Sequence, residues 1–205
     1  MKKTNENLSL VRSSLMAVVC IGIAGFGYLA VGGVVGAVTF AFGLLAVVHY
    51  RLKLFTGTAG FFAKGEIGAL CAILGMNIVG CLLVALMARM SPMPLQETAP
   101  GILQARLNAG YVQCGVLAIG CGFIMTTAVK WAREGKFLPL LFGVPLFIIC
   151  GFPHCVADVF YYLTVPVDFL TENFARVLLL YACIVTGNFV GCNFYRWTIG
   201  HNDAA

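Results

Sequence analysis

The residues able to do chemistry in this chain are few, and they are set in apolar surroundings. His154 follows Gly151-Phe152-Pro153 and precedes Cys155-Val156-Ala157. Its ordinary pKa near ~6.5 would let it give or take a proton at physiological pH. Lys53 and Asp158 are further ionisable residues beside apolar runs, and His49 precedes Lys53 by four residues. His49 reads equally as functional or structural, and His201 belongs to the tail. Three histidines and nine cysteines raise the question of a haem or metal redox centre. That would need paired histidines on facing helices, and only His49 and His154 lie within apolar runs. The cysteines (Cys20, Cys71, Cys81, Cys114, Cys121, Cys150, Cys155, Cys183 and Cys192) show no CxxC or Cys/His metal spacing. They read as small buried packing residues, and no metal or cofactor is expected.

The elements that hold these groups follow from composition. Apolar residues make up 60% of the 205, charged residues 10%, and the mean hydropathy is +0.94. A soluble domain is typically about 45–50% apolar and about 25% charged, so a water-soluble fold is excluded. Thirteen basic residues against eight acidic form no basic stripe, which excludes a nucleic-acid partner. The surroundings must be a lipid bilayer. The basic start, Met1-Lys2-Lys3, leads into an apolar run without a convincing cleavage site, which reads as a retained first helix.

Spans are counted between charges. Arg12 and Arg51 enclose 38 uncharged residues. As one helix these would extend about 57 Å, nearly twice the roughly 30 Å hydrocarbon core, so the run must fold back, at Val31-Gly32-Gly33. Single spans follow between Glu66 and Arg89, Arg106 and Lys130, Lys136 and Asp158, and Arg176 and Arg196. The expected total is six. Two pieces are too short to span: ten residues between Lys53 and Lys64, and nine between Asp158 and Asp168. Each follows a full-looking span across a junction rich in ionisable or helix-breaking residues, Tyr50-Arg51-Leu52-Lys53 and Gly151-Phe152-Pro153-His154. Spans two and five are therefore expected to be broken at mid-membrane, with a half-helix beyond each break.

With the N-terminus inside, inner segments carry Lys2, Lys3, Arg12, Lys64, Lys130, Arg133, Lys136 and Arg196, and outer segments only Arg89, Arg106 and Arg176. This places both termini in the cytoplasm, in a multi-pass protein of the cell (inner) membrane. An internal echo sets the symmetry: Asn77-Ile78-Val79-Gly80-Cys81 in span three returns as Asn188-Phe189-Val190-Gly191-Cys192 in span six. The expected fold is one all-α membrane domain, 1–205, whose repeats (about 8–90 and 103–199) are inverted three-helix units, as in an aquaporin protomer. Such architecture belongs to channels and transporters, with the site where interrupted helices meet. Asn77 and Asn188 read either as substrate-binding or as hydrogen-bonding the broken loops.

At the breaks the sequence resembles the formate/nitrite transporter family, pentameric channels for small monovalent anions. Three motifs carry the resemblance: Leu54-Phe55-Thr56-Gly57, Gly151-Phe152-Pro153-His154-Cys155-Val156-Ala157-Asp158, and Gly187-Asn188-Phe189-Val190-Gly191. It covers nearly the whole chain, with loops shorter than is usual. It implies a homopentamer, one pore per subunit, not an enzyme, passing an anion such as formate, nitrite, hydrosulfide, acetate or lactate. His154 matches the central pore histidine and Thr56 the threonine facing it, although Thr56 also suits a helix cap. The resemblance puts an inner constriction at Phe40, Leu44 and Phe147, and an outer one at Leu54, Phe55 and Met125. Arg106 matches a lysine of the outer vestibule; its other reading is a cation snorkelling at the outer start of span four. A neutral-solute channel and a purely structural membrane protein are the alternatives.

The chain departs from the family at Lys53 and Pro153, both usually acidic, at Asp158, usually asparagine, and at Gly122, usually a span-four asparagine. Gly122 is expected either to widen the pore beside His154 or to remove a polar contact. Lone charges at Lys53 and Asp158 would each cost at least ~2.5–3.5 kcal/mol in the bilayer. The expectation is that they form an ion pair across the facing breaks. The other reading has Lys53 facing the pore as an anion attractor while Asp158 bonds backbone amides.

Overall fold

A computed structural model describes residues 2–63 and 65–200; Met1, Lys64 and His201 lie outside the described residues, as do the side chains of Lys2 and Lys3. The described residues are helical with no strand. Four helices are long and apolar enough to cross a membrane: α1 (Lys2–Val31), α4 (Ile67–Arg89), α6 (Tyr111–Arg133) and α10 (Phe174–Cys192). Between them come α2 (Gly33–His49), α3 (Phe55–Thr58), α5 (Leu95–Ala109), α7 (Leu138–Ile149), α8 (Cys155–Thr164) and α9 (Val167–Glu172), with α11 (Phe194–Thr198) at the end. Large apolar side chains such as Phe42, Leu86, Val112 and Phe142 stand outward. In water such a surface would drive aggregation; against acyl chains it is the fitting exterior.

The long helices approach closely at glycines. A Cβ on Gly187 would run into the Gly115 carbonyl, and one on Gly191 into the Ile119 carbonyl, so α10 lies almost backbone-to-backbone on α6. Lipid offers no hydrophobic drive between helices, so small residues and dispersion hold such crossings. Gly122 belongs to this seam: a Cβ there would meet the Asn188 carbonyl and, at 2.8 Å, the Cys192 amide. The expectation that Gly122 widens a pore is thereby corrected, because the position faces α10. The matching contact in the first half is looser, with a Cβ on Gly80 at 3.1 Å from Val18 and 3.2 Å from the Leu15 carbonyl.

Two segments depart from the expected layout. Beyond the first break the helix is only the four residues of α3, against ten in α8. Side chains take the carbonyls that a longer helix would use: Cys192 reaches Thr56, Arg133 Gly57, Asn193 Ala59 and Arg196 Phe62. The second departure is α5, a helix in the stretch between the expected third and fourth spans. Its residues Leu95, Ala99, Leu103 and Leu107, one every four, are all buried, and Arg106 sits on this helix rather than at the start of α6.

Gly122→Asn should lower the unfolding midpoint in detergent, by an amount that corresponds to at least the ~1–3 kcal/mol typical of overpacking. Gly27→Ala, at a glycine facing open space, should not lower it. Equal midpoints would contradict the seam.

Candidate functional site

The site grows from two helix ends built alike, one hundred residues apart. At the end of α2, Arg51 N–H donates to the Val48 carbonyl (3.1 Å) and Leu52 N–H to the Val47 carbonyl (2.9 Å). At the end of α7, Gly151 donates to Ile148 (3.0 Å) and Phe152 to Phe147 (2.9 Å). These are paired Schellman closures, whose penultimate residue takes a left-handed backbone. Gly151 does so at φ 68°, where glycine carries no steric penalty; Arg51 does so at φ 53° despite its Cβ.

Each chain then runs extended through Leu54 or His154 into the next helix. Asn77 on α4 accepts the Phe55 N–H (2.9 Å) and donates to the carbonyls of Lys53 (3.2 Å) and Ser14 (2.9 Å). Asn188 on α10 accepts the Cys155 N–H (2.7 Å) and donates to the carbonyls of Pro153 (3.0 Å) and Ala118 (2.8 Å). Of the two readings of these asparagines, the structure places both on the broken loops. Cys81 Sγ donates across to the Val156 carbonyl (3.3 Å) and Cys192 Sγ to the Thr56 carbonyl (3.4 Å), so each echo helix also braces the opposite half. The sequence signal for these bonds is the echo itself, which contains both asparagines and both thiols; Ser14 carries none.

Between the loops, His154 Nε2 lies 2.9 Å from Thr56 Oγ1, with the two residues 3% and 0% exposed. His154 Nδ1 accepts the Ala157 N–H at 3.1 Å, capping α8. A ring nitrogen that accepts carries no proton, so the neutral ring holds its hydrogen on Nε2 and donates it to Thr56. The ring stacks on Phe147 (centroids 5.6 Å, 24°), and Phe40 meets Phe147 edge-on (6.4 Å, 86°).

Asp158, on the first turn of α8, pairs with Arg106 on α5: Nε to Oδ2 is 3.6 Å, with side chains 19% and 2% exposed. Arg106 also donates to the Gly151 carbonyl. The expected Lys53–Asp158 pair is therefore corrected. The loops do face each other, but through Thr56 and His154. Lys53, before its helix start, falls on one side of that contact, and Asp158, four residues past His154, on the other. Among the described residues Lys53 makes no ion pair, and its exposed side chain lines a cavity of about 560 Å³.

That cavity also sorts the apolar residues. It is lined by Leu44, Gly57, Val129 and Arg133, hence lies where α6 ends. α2 runs toward it, so Leu44 is nearer the cavity than Phe40. Lys53 and Gly57, both lining it, flank Leu54 and Phe55, and Val129 is one turn beyond the buried Met125. Leu44 lines the cavity while Phe40 packs edge-on against Phe147, so Leu44 stands apart from the other two residues of its expected constriction. Among the described residues no cluster of His, Cys, Asp or Glu could hold a metal.

The sequence profile described as "Formate/nitrite transporter" matches residues 1–199. The chain belongs to the formate/nitrite transporter family. The family is one of membrane transporters rather than enzymes, in keeping with a multi-pass chain of apolar helices. This family member is 30% identical to an uncharacterized transporter, YrhG, of Bacillus subtilis (strain 168), covering 62% of this chain and 55% of the relative. It thus spans about half the length of that relative. Among solved structures it is similar to a pentameric formate channel with formate bound: TM-score 0.79, 20% identity, 98% of this chain and 99% of the other covered. A second, an FNT family ion channel, gives a TM-score of 0.73 at 20% identity, with 94% and 89% covered. At that identity the likeness establishes the formate/nitrite transporter fold.

The corrected ion pair gives a test. Arg106→Gln and Asp158→Asn should each destabilise the protein in detergent, and the double variant should lose less than their sum, with a coupling of ~0.5–3 kcal/mol. Lys53→Met combined with Asp158→Asn should be additive. Coupling in the second cycle and none in the first would restore the original pairing.

Proposed function

We propose that the chain is a passive channel for small monovalent anions and their weak acids, of the formate, nitrite, hydrosulfide, acetate or lactate class. The protomer crosses the membrane six times as two inverted three-helix repeats, with spans two and five broken, both termini cytoplasmic, and one pore in each subunit of a homopentamer. The matching hydrogen bonds at the two breaks support the inverted repeat. The basic residues of the inner segments support the orientation.

One observation carries the functional reading: the Thr56–His154 hydrogen bond, buried beside Phe147, which stacks on the His154 ring and meets Phe40 edge-on. A bare anion at such a point would be badly desolvated, since an unpaired buried charge costs far more than a hydrogen bond. Two groups lower that cost. The Thr56 hydroxyl and the His154 Nε2–H offer donors to a carboxylate-like oxygen. His154 can also take a solvent proton, delivered as hydronium, on Nδ1 once that nitrogen is released from the Ala157 amide, and pass its Nε2 proton to the anion, so one proton from the bulk neutralises one anion. The ring then ends neutral with its proton on Nδ1, and the substrate passes the aromatic pair as the neutral acid. Return of the ring to the Nε2–H form resets the site.

Uptake into liposomes tests this. His154→Gln keeps a donor but cannot exchange protons, and should cut weak-acid flux by about tenfold, equivalent to ~1.4 kcal/mol, and flatten its pH dependence. Thr56→Val should cut flux and keep the pH profile. An unchanged pH profile in His154→Gln would remove the proton-exchange role. A specific observation also favours a neutral-solute channel, namely that Asp158 cancels Arg106. Glycerol or urea entering faster than formate, with no response to pH, would decide for it.

A further inference from the structure

The two approaches to His154 are electrically unequal. The 560 Å³ cavity at the end of α6 is lined by Arg51, Lys53 and Arg133 and, among the described residues, by no carboxylate. Arg133 is held in place, donating to the Gly57 carbonyl (3.0 Å) with its guanidinium 4.2 Å from the Phe61 ring centroid. Arg51 and Lys53 are exposed, and among the described residues neither has an ion pair. At the opposite approach Arg106 is paired with Asp158, and Arg176, which donates to Asn173 (3.1 Å), follows the acidic Asp168 and Glu172 of α9. Arg89, near the far end of α8, is engaged by the carbonyls of Leu163 and Val165.

Backbone geometry adds an independent observation. Arg51 occupies the left-handed position that glycine fills in the matching closure at Gly151. An L-residue pays a steric cost there that glycine does not, and such strain is found where the side chain serves a function. The closure itself needs no arginine, since Gly151 makes the same hydrogen bonds. What Arg51 adds over glycine is a cation on the cavity wall.

We propose that this cavity is an anion-binding mouth for the small monovalent substrates named above, with Arg51 and Lys53 as its binding residues, and that the Arg106 end has no equivalent. The inference rests on the channel reading for its substrate class, though not for the site itself. A cavity of this size holds an anion with many waters, each occupying ~30 Å³. Binding is therefore weak and fast, and acts by raising local anion concentration within low-dielectric walls. A passive channel cannot make equilibrium sided. The asymmetry appears in saturation: the half-saturating concentration is lower when substrate is presented at the cavity.

The test uses the full chain in a planar bilayer, with formate added to one side at a time at low ionic strength, and thermal unfolding with formate or sulfate as added ion. Wild type should half-saturate at a roughly three- to tenfold lower formate concentration from the cavity side, and the difference should shrink in high salt. Arg51→Gly and Lys53→Gln, singly and more so together, should erase the difference and leave flux at saturating formate close to wild type. Arg51→Gly should unfold no earlier than wild type, because it relieves the backbone, which separates lost binding from lost structure. Lys136→Gln, whose lysine pairs with Glu134 outside the cavity, controls for general surface charge. Equal half-saturation from both sides, or an equal loss at all formate concentrations in the double variant, would overturn the proposal. So would stabilisation of wild type by sulfate alone, which would mark a site for multivalent ions. If no anion is transported yet formate stabilises wild type and not the double variant, the site stands and the channel reading falls.

Discussion

Everything at the centre of this protein depends on two asparagines satisfying broken backbone. Breaking a helix inside a bilayer exposes N–H and C=O groups where no lipid can bond them, at several kcal/mol each. Asn77 and Asn188 each meet this with one accepted and two donated hydrogen bonds, and Cys81 and Cys192 add a bond across to the other half. Once the loops are held by groups outside the site, Thr56 and His154 are free to face each other.

The two helix ends and their asparagine clamps are built alike, and the chemistry lies where they differ. Leu54 stands where the other half has His154, Thr56 where it has Val156, Lys53 where it has Pro153, and Arg51 where it has Gly151. Equivalent backbone thus presents one imidazole and one hydroxyl to each other. It also gathers cations at one end, while Asp158 removes the net charge of Arg106 at the other.

Much of this was legible in the sequence because lengths are physically bounded. Pieces of ten and nine residues cannot span a bilayer, and they led to the breaks on either side of Lys53 and His154. The asparagine echo led to the residues that hold those breaks. What stayed hidden depends on direction rather than length. That the loops face each other does not say on which side of the contact Lys53 and Asp158 project, so their pairing was misread. Leu44 was separated from Phe40 for the same reason, by one turn of α2. Helix α5 was obscured by Pro94, Pro100 and Glu97, which punctuate its four-residue rhythm. The left-handed turn at Arg51 has no signal at all in a residue that is not glycine.

The central claim is that the clamped loops present a neutral His154, its Nδ1 sealed by the Ala157 amide and its hydrogen on Nε2. Solid-state NMR of the protein in lipid, with 15N-labelled histidine, reads this directly. The His154 signals are assigned by their loss in His154→Gln, since His49 and His201 also contribute. At neutral pH the account predicts one bare and one protonated ring nitrogen, the proton on Nε2. A ring protonated on both nitrogens, or one with its single proton on Nδ1, would contradict it.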